Sequence, residues 1–282
     1  MNYEQWLREA ALQLIESDSP KSDAEILLGY VTQRTRTYLI AFNETVLSLD
    51  ELEQLSQLLT RRIKGEPIAY LVGEREFWSL PLKVSPATLI PRPDTECLVE
   101  KALEKLPSEP TRILDLGTGT GAIALAMASE RPDCHIIGVD FQAEAVVLAQ
   151  ENATNLALNN TEFMESCWFS SLSGYQFGMI ISNPPYIDEN DEHIHQGDVR
   201  FEPLTALVAG KNGFADIEII VETARQFLTD NGWVLLEHGW QQGEGVRNIF
   251  IDKGYRCVET FRDYGGNERV TVGRWNYDRN HS

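Results

Sequence analysis

The chain has 282 residues, 43% of them hydrophobic, which is enough apolar content for one large domain or two ordinary ones and excludes a disordered chain. Its net charge is −19, from 43 acidic against 24 basic residues. That balance argues against a nucleic-acid backbone as the main partner, because such binding neutralises phosphates with Lys and Arg. Cys97, Cys134, Cys167 and Cys257 are scattered with no C-x-x-C pair, no apolar run reaches membrane length, and the opening Met-Asn-Tyr-Glu-Gln has neither a basic nor an apolar leader. The expectation is a cytoplasmic protein with free thiols.

Trp6, Leu7, Ala10, Ala11, Leu14 and Ile15 recur at helical spacing, and Ser17-Asp18-Ser19-Pro20 stops that helix. Ser22 with Glu25 has the spacing of a capping box for a second helix through Ile26, Leu27, Leu28 and Val31. Ser48 with Glu51 repeats the signal before Leu52, Leu55, Leu58, Leu59 and Ile63, and Arg61, Arg62, Lys64, Gly65 and Pro67 end this third helix. The first 70 residues thus read as a small bundle of about four helices, either a structural cap or a partner-binding module.

From Ile68 to Glu96 the pattern turns to short extended runs. Glu76-Phe77-Trp78 and Leu82-Lys83-Val84 flank Ser79-Leu80-Pro81, which predicts a hairpin. Leu89-Ile90-Pro91-Arg92-Pro93-Asp94-Thr95-Glu96 then leads into an amphipathic segment from Leu98 to Leu106. It reads as a Pro-stiffened linker or as a charged loop at a helix N-terminus facing a ligand carboxylate.

Ile113-Leu114-Asp115-Leu116 predicts a strand, followed by Gly117-Thr118-Gly119-Thr120-Gly121 and a helix of small residues. The spacing is D-x-G-x-G-x-G, not the dinucleotide G-x-G-x-x-G, and an acid at the strand end suits an ammonium better than a pyrophosphate. His135-Ile136-Ile137-Gly138-Val139-Asp140 is a second apolar run ending in an acid. Asp140 is positioned to accept ribose hydroxyls, or else to cap the helix carrying Ala145, Val146, Leu148 and Ala149. Phe163-Met164-Glu165 predicts a third strand, with Trp168 after it able to stack on an adenine or to serve as local core. Phe177-Gly178-Met179-Ile180-Ile181 predicts a buried strand ending in Ser182-Asn183-Pro184-Pro185-Tyr186. Two prolines fix φ and remove two donors, so Asn183 is an amide presented beside backbone acceptors and an aromatic ring. That set suits a planar NH2 group, although Asn-Pro also makes plain rigid turns.

Asp115 to Gly121, Asn183 to Tyr186, Glu66-Pro67-Ile68-Ala69-Tyr70, Ile90 to Glu96, Asp198-Val199-Arg200-Phe201-Glu202-Pro203 with Leu204-Thr205-Ala206-Leu207, and Leu236-Glu237-His238-Gly239 together resemble the release-factor glutamine N5-methyltransferases. That family uses S-adenosyl-L-methionine to methylate the glutamine of the Gly-Gly-Gln loop in class I peptide chain release factors. The resemblance implies an α/β protein with the class I S-adenosylmethionine-dependent methyltransferase fold, built on a seven-stranded, mostly parallel sheet. It implies a helical substrate-recognition domain at 1–70, a hairpin linker at 71–95 and a catalytic domain at 96–282. Carried over, the cofactor contacts are Gly117, Thr118, Gly119, Thr120, Gly121, Asp140, Trp168 and Asn183. The substrate contacts are Asn183, Pro184, Pro185 and Tyr186, with Asn183, Pro184 and Tyr186 catalytic and no metal. Cys167 departs from the family, which commonly has Asp before this Trp, and a carboxylate contact to the cofactor base is in doubt here.

Ala215 to Leu228 and Val246 to Ile251 read as further helices, and Trp233 to Leu236, Tyr255 to Glu259 and Arg269 to Val272 as strands. His193 and His195 form an H-x-H pair with no further ligand spacing. The expected reaction is direct transfer of a methyl group to a side-chain amide nitrogen aimed by Asn183 and the Pro184 carbonyl. Two other readings are an adenine-N6 DNA or RNA methyltransferase, which shares the tetrapeptide and would flip its base, and a non-catalytic protein-binding module that keeps cofactor as a structural ligand.

Overall fold

The computed structural model describes residues 1–195 and 197–277, and within that span the side chains of His193 and His195 lie outside the description. The chain forms two compact units, one comprising residues 1–74 with 195–201 and the other residues 75–194 with 202–282.

The first unit is helical. α1 (Tyr3–Gln13) is opened by a reciprocal cap in which Asn2 Oδ1 accepts from Gln5 N at 2.9 Å and Gln5 Oε1 accepts from Asn2 N at 3.0 Å. It ends before Ile15, which is 81% exposed and not part of the buried face expected for it. α2 (Pro20–Thr32) starts three residues earlier than a Ser22 cap would allow. Pro20 has the φ a first turn needs, and its missing N–H is one that no helix start can satisfy internally. α3 (Arg36–Ala41), capped by the Thr35 hydroxyl, had no clear periodic signal. α4 (Leu49–Ile63) carries the expected Ser48–Glu51 box, with bonds of 2.7 and 3.2 Å, and the short α5 (Ile68–Val72) ends at Gly73. The bundle therefore has five helices, two of them short. Trp6, Leu14, Leu27, Leu28, Leu55 and Leu71 fill its core. Arg62, expected only as a helix-end charge, is nearly buried and donates to Asp23 at 2.7 Å, to Asp198 at 2.9 Å and to the Glu66 carbonyl at 3.0 Å.

The hairpin of β1 (Glu74–Phe77) and β2 (Leu80–Lys83) turns on Trp78 and Ser79, at φ +52° and +59°. Leu80 and Pro81 are strand, so the turn is shorter than the sequence suggested, and both turn residues take the positive φ whose geometry matches the right-handed twist of the flanking strands. Phe77 and Leu82 pack against α6 (Glu96–Lys105), which follows a 3₁₀ turn at Pro93–Thr95. Then come β3 (Arg112–Leu116), α7 (Ala122–Glu130), β4 (His135–Asp140), α8 (Ala143–Asn155), β5 (Thr161–Glu165) and β6 (Phe177–Ser182). A small pair, β7 (Ile187–Asp188) and β8 (Val208–Ala209), precedes the turn-like α9 (Gly210–Gly213) and α10 (Ala215–Ala224). α10 stops short of Leu228 because the Phe227 carbonyl bonds Phe177 N at 2.8 Å and Leu228 already opens β9 (Leu228–Glu237). α11 (Gly243–Asp252), β10 (Arg256–Arg262) and β11 (Glu268–Arg274) complete the unit.

Seven strands form one sheet in the order β10-β11-β9-β6-β3-β4-β5, in which β11 alone runs antiparallel to the other six. Side chains alternate between faces. Ile113, Ile136, Met179, Ile181 and Leu235 pack on one side with α6 and α7, and Leu114, Ile137, Ile180, Val234 and Leu236 on the other with α10 and α11. The chain leaves β3 towards β4 and β5, then returns to place β6 on β3's other edge. Strand order therefore reverses between β3 and β6, and crevices for ligands open beyond the carboxyl ends of strands at such a reversal.

Candidate active site

A cleft of about 310 Å³ opens at that point, lined by Gly117, Thr118 and Thr120 after β3, Asp140 at the end of β4, Trp168 after β5, and Asn183 and Pro185 after β6. Arg92 and Thr95 line it from the turn before α6, Thr205 from the loop before β8, and Asp216 from the start of α10.

The glycine loop is tied to its neighbours. Thr118 N donates to the Val139 carbonyl at 2.9 Å, Gly119 N to Asp140 Oδ2 at 3.0 Å, and buried Asn152 Nδ2 to the Thr120 carbonyl at 2.9 Å. Gly117 has φ +68°, and a Cβ there would stand 3.7 Å from the Trp168 ring, so glycine keeps this wall thin as well as letting the chain turn. Gly121, at φ +82°, is the N-cap of α7, where a Cβ would come within 3.1 Å of Ala149. Gly119 and Gly121 shape the loop but do not line the cleft.

Asp115 was expected to meet an ammonium, but its carboxylate turns inward. It is 1% exposed, and Oδ2 accepts from the Thr118 hydroxyl at 2.7 Å and from Ala124 N at 3.2 Å, bracing the loop against α7. Burial pushes its pKa up to about 7, against the pull of these two donors. Asp140 is not the cap of α8, which is Gln142; its Oδ1 accepts from Gln142 N at 3.0 Å while the side chain faces the cleft. Burial raises its pKa too, and backbone N–H groups oppose the rise. Trp168 sits at φ +48° over a serine-rich turn in which the Ser166 hydroxyl donates to the Trp168 carbonyl at 2.8 Å. The Trp168 side chain also bonds Asp216. Cys167 is exposed at the same rim.

β6 is fastened to β3 where the tetrapeptide begins, by the Ser182 hydroxyl donating to the Leu116 carbonyl at 2.7 Å. Asn183 Nδ2 donates to Thr95 Oγ1 at 3.4 Å. Pro184 is buried, Pro185 lines the cleft, and Tyr186 packs against the core on the side of the sheet covered by α10 and α11. The Tyr186 hydroxyl donates to Glu237 Oε1 at 3.3 Å, and the Tyr186 carbonyl is held by Gln242 at 3.0 Å. Of the residues singled out in the sequence, Gly117, Thr118, Thr120, Asp140, Trp168, Asn183 and Pro185 share the cleft; Pro184 and Tyr186 stand behind it.

Several residues here carried no role in the sequence. Glu202, whose side chain is fully buried, accepts from Ile90 N at 2.9 Å and from the Arg92 guanidinium, pinning the loop ahead of α6. Glu237 ends β9 at 2% exposure, with burial holding its pKa at about 7 against Thr95, Arg269 and Tyr186. It closes an apolar strand with an acid, as Asp140 does and as Asp115 nearly does, and that pattern was the available signal. Among the described residues no cluster of His, Cys, Asp and Glu is arranged to hold a metal, and no helix is long and apolar enough to cross a membrane.

Fold and cleft together define a methyltransferase of the class built on this seven-stranded sheet. A methyltransferase of Pyrococcus furiosus superposes with a TM-score of 0.55 at 18% identity, over 79% of this chain and all of that one. A Thermus thermophilus 16S rRNA methyltransferase in complex with AdoMet and guanosine superposes at 0.51 with 18% identity, over 71% of this chain and 49% of that one. Residues 5–73 match the family model of the PrmC N-terminal domain, and residues 94–199 that of the methyltransferase small domain. The release factor glutamine methyltransferase of Escherichia coli K12 is 66% identical over 275 residues, covering 98% of this chain and 99% of that protein. The chain belongs to the release factor glutamine methyltransferase family.

Proposed function

We propose that this protein transfers a methyl group from S-adenosyl-L-methionine to N5 of the glutamine in the Gly-Gly-Gln loop of class I peptide chain release factors in the cytoplasm. The observation that carries the reading is the meeting of Asn183, Asp140 and the glycine loop in one cleft, within a chain of this family. The cofactor fits the residues present. Asp140 offers a carboxylate, acceptor-only when ionised, to a pair of ribose hydroxyls; Gly117 leaves a wall without a Cβ; Trp168 offers a ring at the rim. Gly117 to Gly121, Asp140, Trp168 and Asn183 are the proposed cofactor contacts.

When bound, the cofactor supplies an electrophilic methyl group. The chain's own task is to make a poor nucleophile adequate, since the amide nitrogen's lone pair is delocalised into its carbonyl. Asn183 Oδ1 and the Pro184 carbonyl accept the two amide hydrogens, orient the nitrogen, and stabilise the positive charge that develops on it. Pro185 and Tyr186 shape the seat of the amide plane. Proton loss follows transfer, so no dedicated base is required.

Residues 1–70, the proposed recognition domain, engage the protein substrate. No direct nucleic-acid binding is proposed, in keeping with the net charge of −19. The adenine-N6 reading is not favoured, because the full-length relatives bear a glutamine methyltransferase name. The test is incubation with labelled S-adenosylmethionine and either a release factor or DNA, followed by mapping of the label. Label on the Gly-Gly-Gln glutamine is expected; label on adenine alone overturns the reading.

A further inference from the structure

Glu237 is the buried acid closest to the tetrapeptide, and the proposed chemistry gives it no part. β6 and β9 run parallel with Ser182 opposite Leu236, so Asn183 and Glu237 are the next residues along at the carboxyl ends of adjacent strands. The side chain is 2% exposed, Oε1 takes the Tyr186 hydroxyl at 3.3 Å, and Oε2 has no donor in bonding geometry. The Thr95 hydroxyl stands beside this carboxylate and helps to keep it ionised. The same Thr95 oxygen accepts from Asn183 Nδ2 at 3.4 Å. A buried, half-satisfied carboxylate is costly, and positions of this kind concentrate at functional sites.

A hydroxyl has one hydrogen to give and lone pairs to accept with, whereas an ionised carboxylate can only accept. An ionised Glu237 therefore draws the Thr95 hydrogen towards itself and leaves the Thr95 oxygen as an acceptor. That acceptor suits only the NH2 end of the Asn183 side chain, which turns Oδ1 into the cleft. A neutral Glu237 is able to donate to Thr95 instead. The Thr95 hydrogen is then free to reach Asn183 Oδ1, and the amide presents its NH2, a donor, to a target that needs an acceptor. We propose that Glu237 is a positioning residue which, through Thr95, fixes the orientation of the Asn183 amide so that its oxygen faces the substrate. This rests on the proposed methylation of a glutamine amide.

The groups around Glu237 support a carboxylate that changes state near neutral pH. Burial raises its pKa; Thr95 from the turn before α6, Arg269 from β11 and Tyr186 after β6 lower it, and Asp94 raises it, with a balance near 7. The Cys97 thiol of α6 also senses the charge of Glu237. Since the accepting form is the ionised one, turnover falls as pH drops through this value and the carboxylate gains its proton.

The test compares the full-length wild type with Glu237→Gln, Thr95→Val and Thr95→Ser, each checked for folding by its melting temperature. On a release factor, Glu237→Gln is expected to lower kcat by about 10–100-fold, the scale for losing an outer partner that orients a site residue. KM and cofactor affinity should stay within about twofold, since such a residue acts on the reacting geometry rather than on binding. The acid limb of the wild-type kcat profile should be absent from Glu237→Gln. Thr95→Val should behave like Glu237→Gln, with Thr95→Ser recovering most of the loss. A second readout needs no turnover: the Asn183 side-chain NH2 resonance should shift with pH near 7 in the wild type and not in Glu237→Gln or Thr95→Val. If the wild type binds cofactor and shows this titration but does not methylate release factor, the proposed function fails and the orientation relay stands. A resonance indifferent to pH and to both substitutions, or a folded Thr95→Val enzyme at wild-type kcat, overturns the relay.

Discussion

At the scale of single residues, Asn183 is the sharpest test of the mechanism. Asn183→Ala keeps the Pro-Pro geometry and Ser182's bond to β3, and removes the proposed acceptor for the substrate amide. Turnover is expected to fall by about 10²–10³, the scale for losing one preorganised group at a developing charge, with cofactor affinity much less changed. Single-turnover methylation of a release factor by a folded variant measures this; a wild-type rate would reduce the tetrapeptide to architecture. Asp140 differs because it has two duties, the proposed contact with the cofactor ribose and support of Gly119 N at 3.0 Å. Asp140→Ala is expected to weaken cofactor binding by roughly 1.5–3 kcal/mol for each charge-assisted bond lost. Asp140→Asn keeps an acceptor for Gly119 and should lose less. Calorimetry giving equal affinities for wild type and Asp140→Ala would remove the ribose assignment.

At the scale of elements, the helical unit is joined by one nearly buried guanidinium. Arg62 at the end of α4 meets Asp23 in α2 and Asp198 in the 195–201 segment, and only the Asp23 contact has both side chains below 10% exposure. Removing one partner of a buried pair costs about 3–5 kcal/mol. Arg62 keeps Asp198 and the Glu66 carbonyl, so Asp23→Ala should cost less, about 2–3 kcal/mol. Calorimetric melting should show the loss as a lower transition for the helical unit, and an unchanged melting profile would mean that the pair contributes nothing net. The strand ends follow a related rule: Asp115, Asp140 and Glu237 each stand at or next to the end of an apolar strand, yet only Asp140 lines the cleft. The other two stand on the same face of the sheet as Asp140 but are occupied inside the protein, Asp115 by the Thr118 hydroxyl and Ala124 N and Glu237 by the Tyr186 hydroxyl.

At the scale of the whole molecule, every residue lining the cleft belongs to the second unit, whereas the proposed recognition surface belongs to the first. A chain beginning near Pro67 should therefore still bind cofactor but methylate an intact release factor poorly. Calorimetry and a methylation assay on the same preparation separate the two, and full activity on the protein substrate would make the helical unit a structural cap. The segment 195–201 should lose order in this truncation, because Arg62 and the Lys64 carbonyl, its partners at Asp198 and Arg200, leave with the bundle.

The sequence by itself determined the strands from β3 to β6 and the loops that follow them, the tetrapeptide among them, because apolar runs, glycines and prolines act through neighbours a few residues away. Ser48 and Glu51 were legible for the same reason: a capping box is complete within four residues. Other outcomes depended on partners distant in the chain. Phe177, not any local signal, ends α10 and starts β9. Thr95, Glu202 and Glu237 acquire their places through contacts with Asn183, Ile90 and Tyr186, which lie 88, 112 and 51 residues away. Local sequence fixes which backbone shapes are cheap, but the direction of a hydrogen bond between distant strands exists only once the sheet has brought them together.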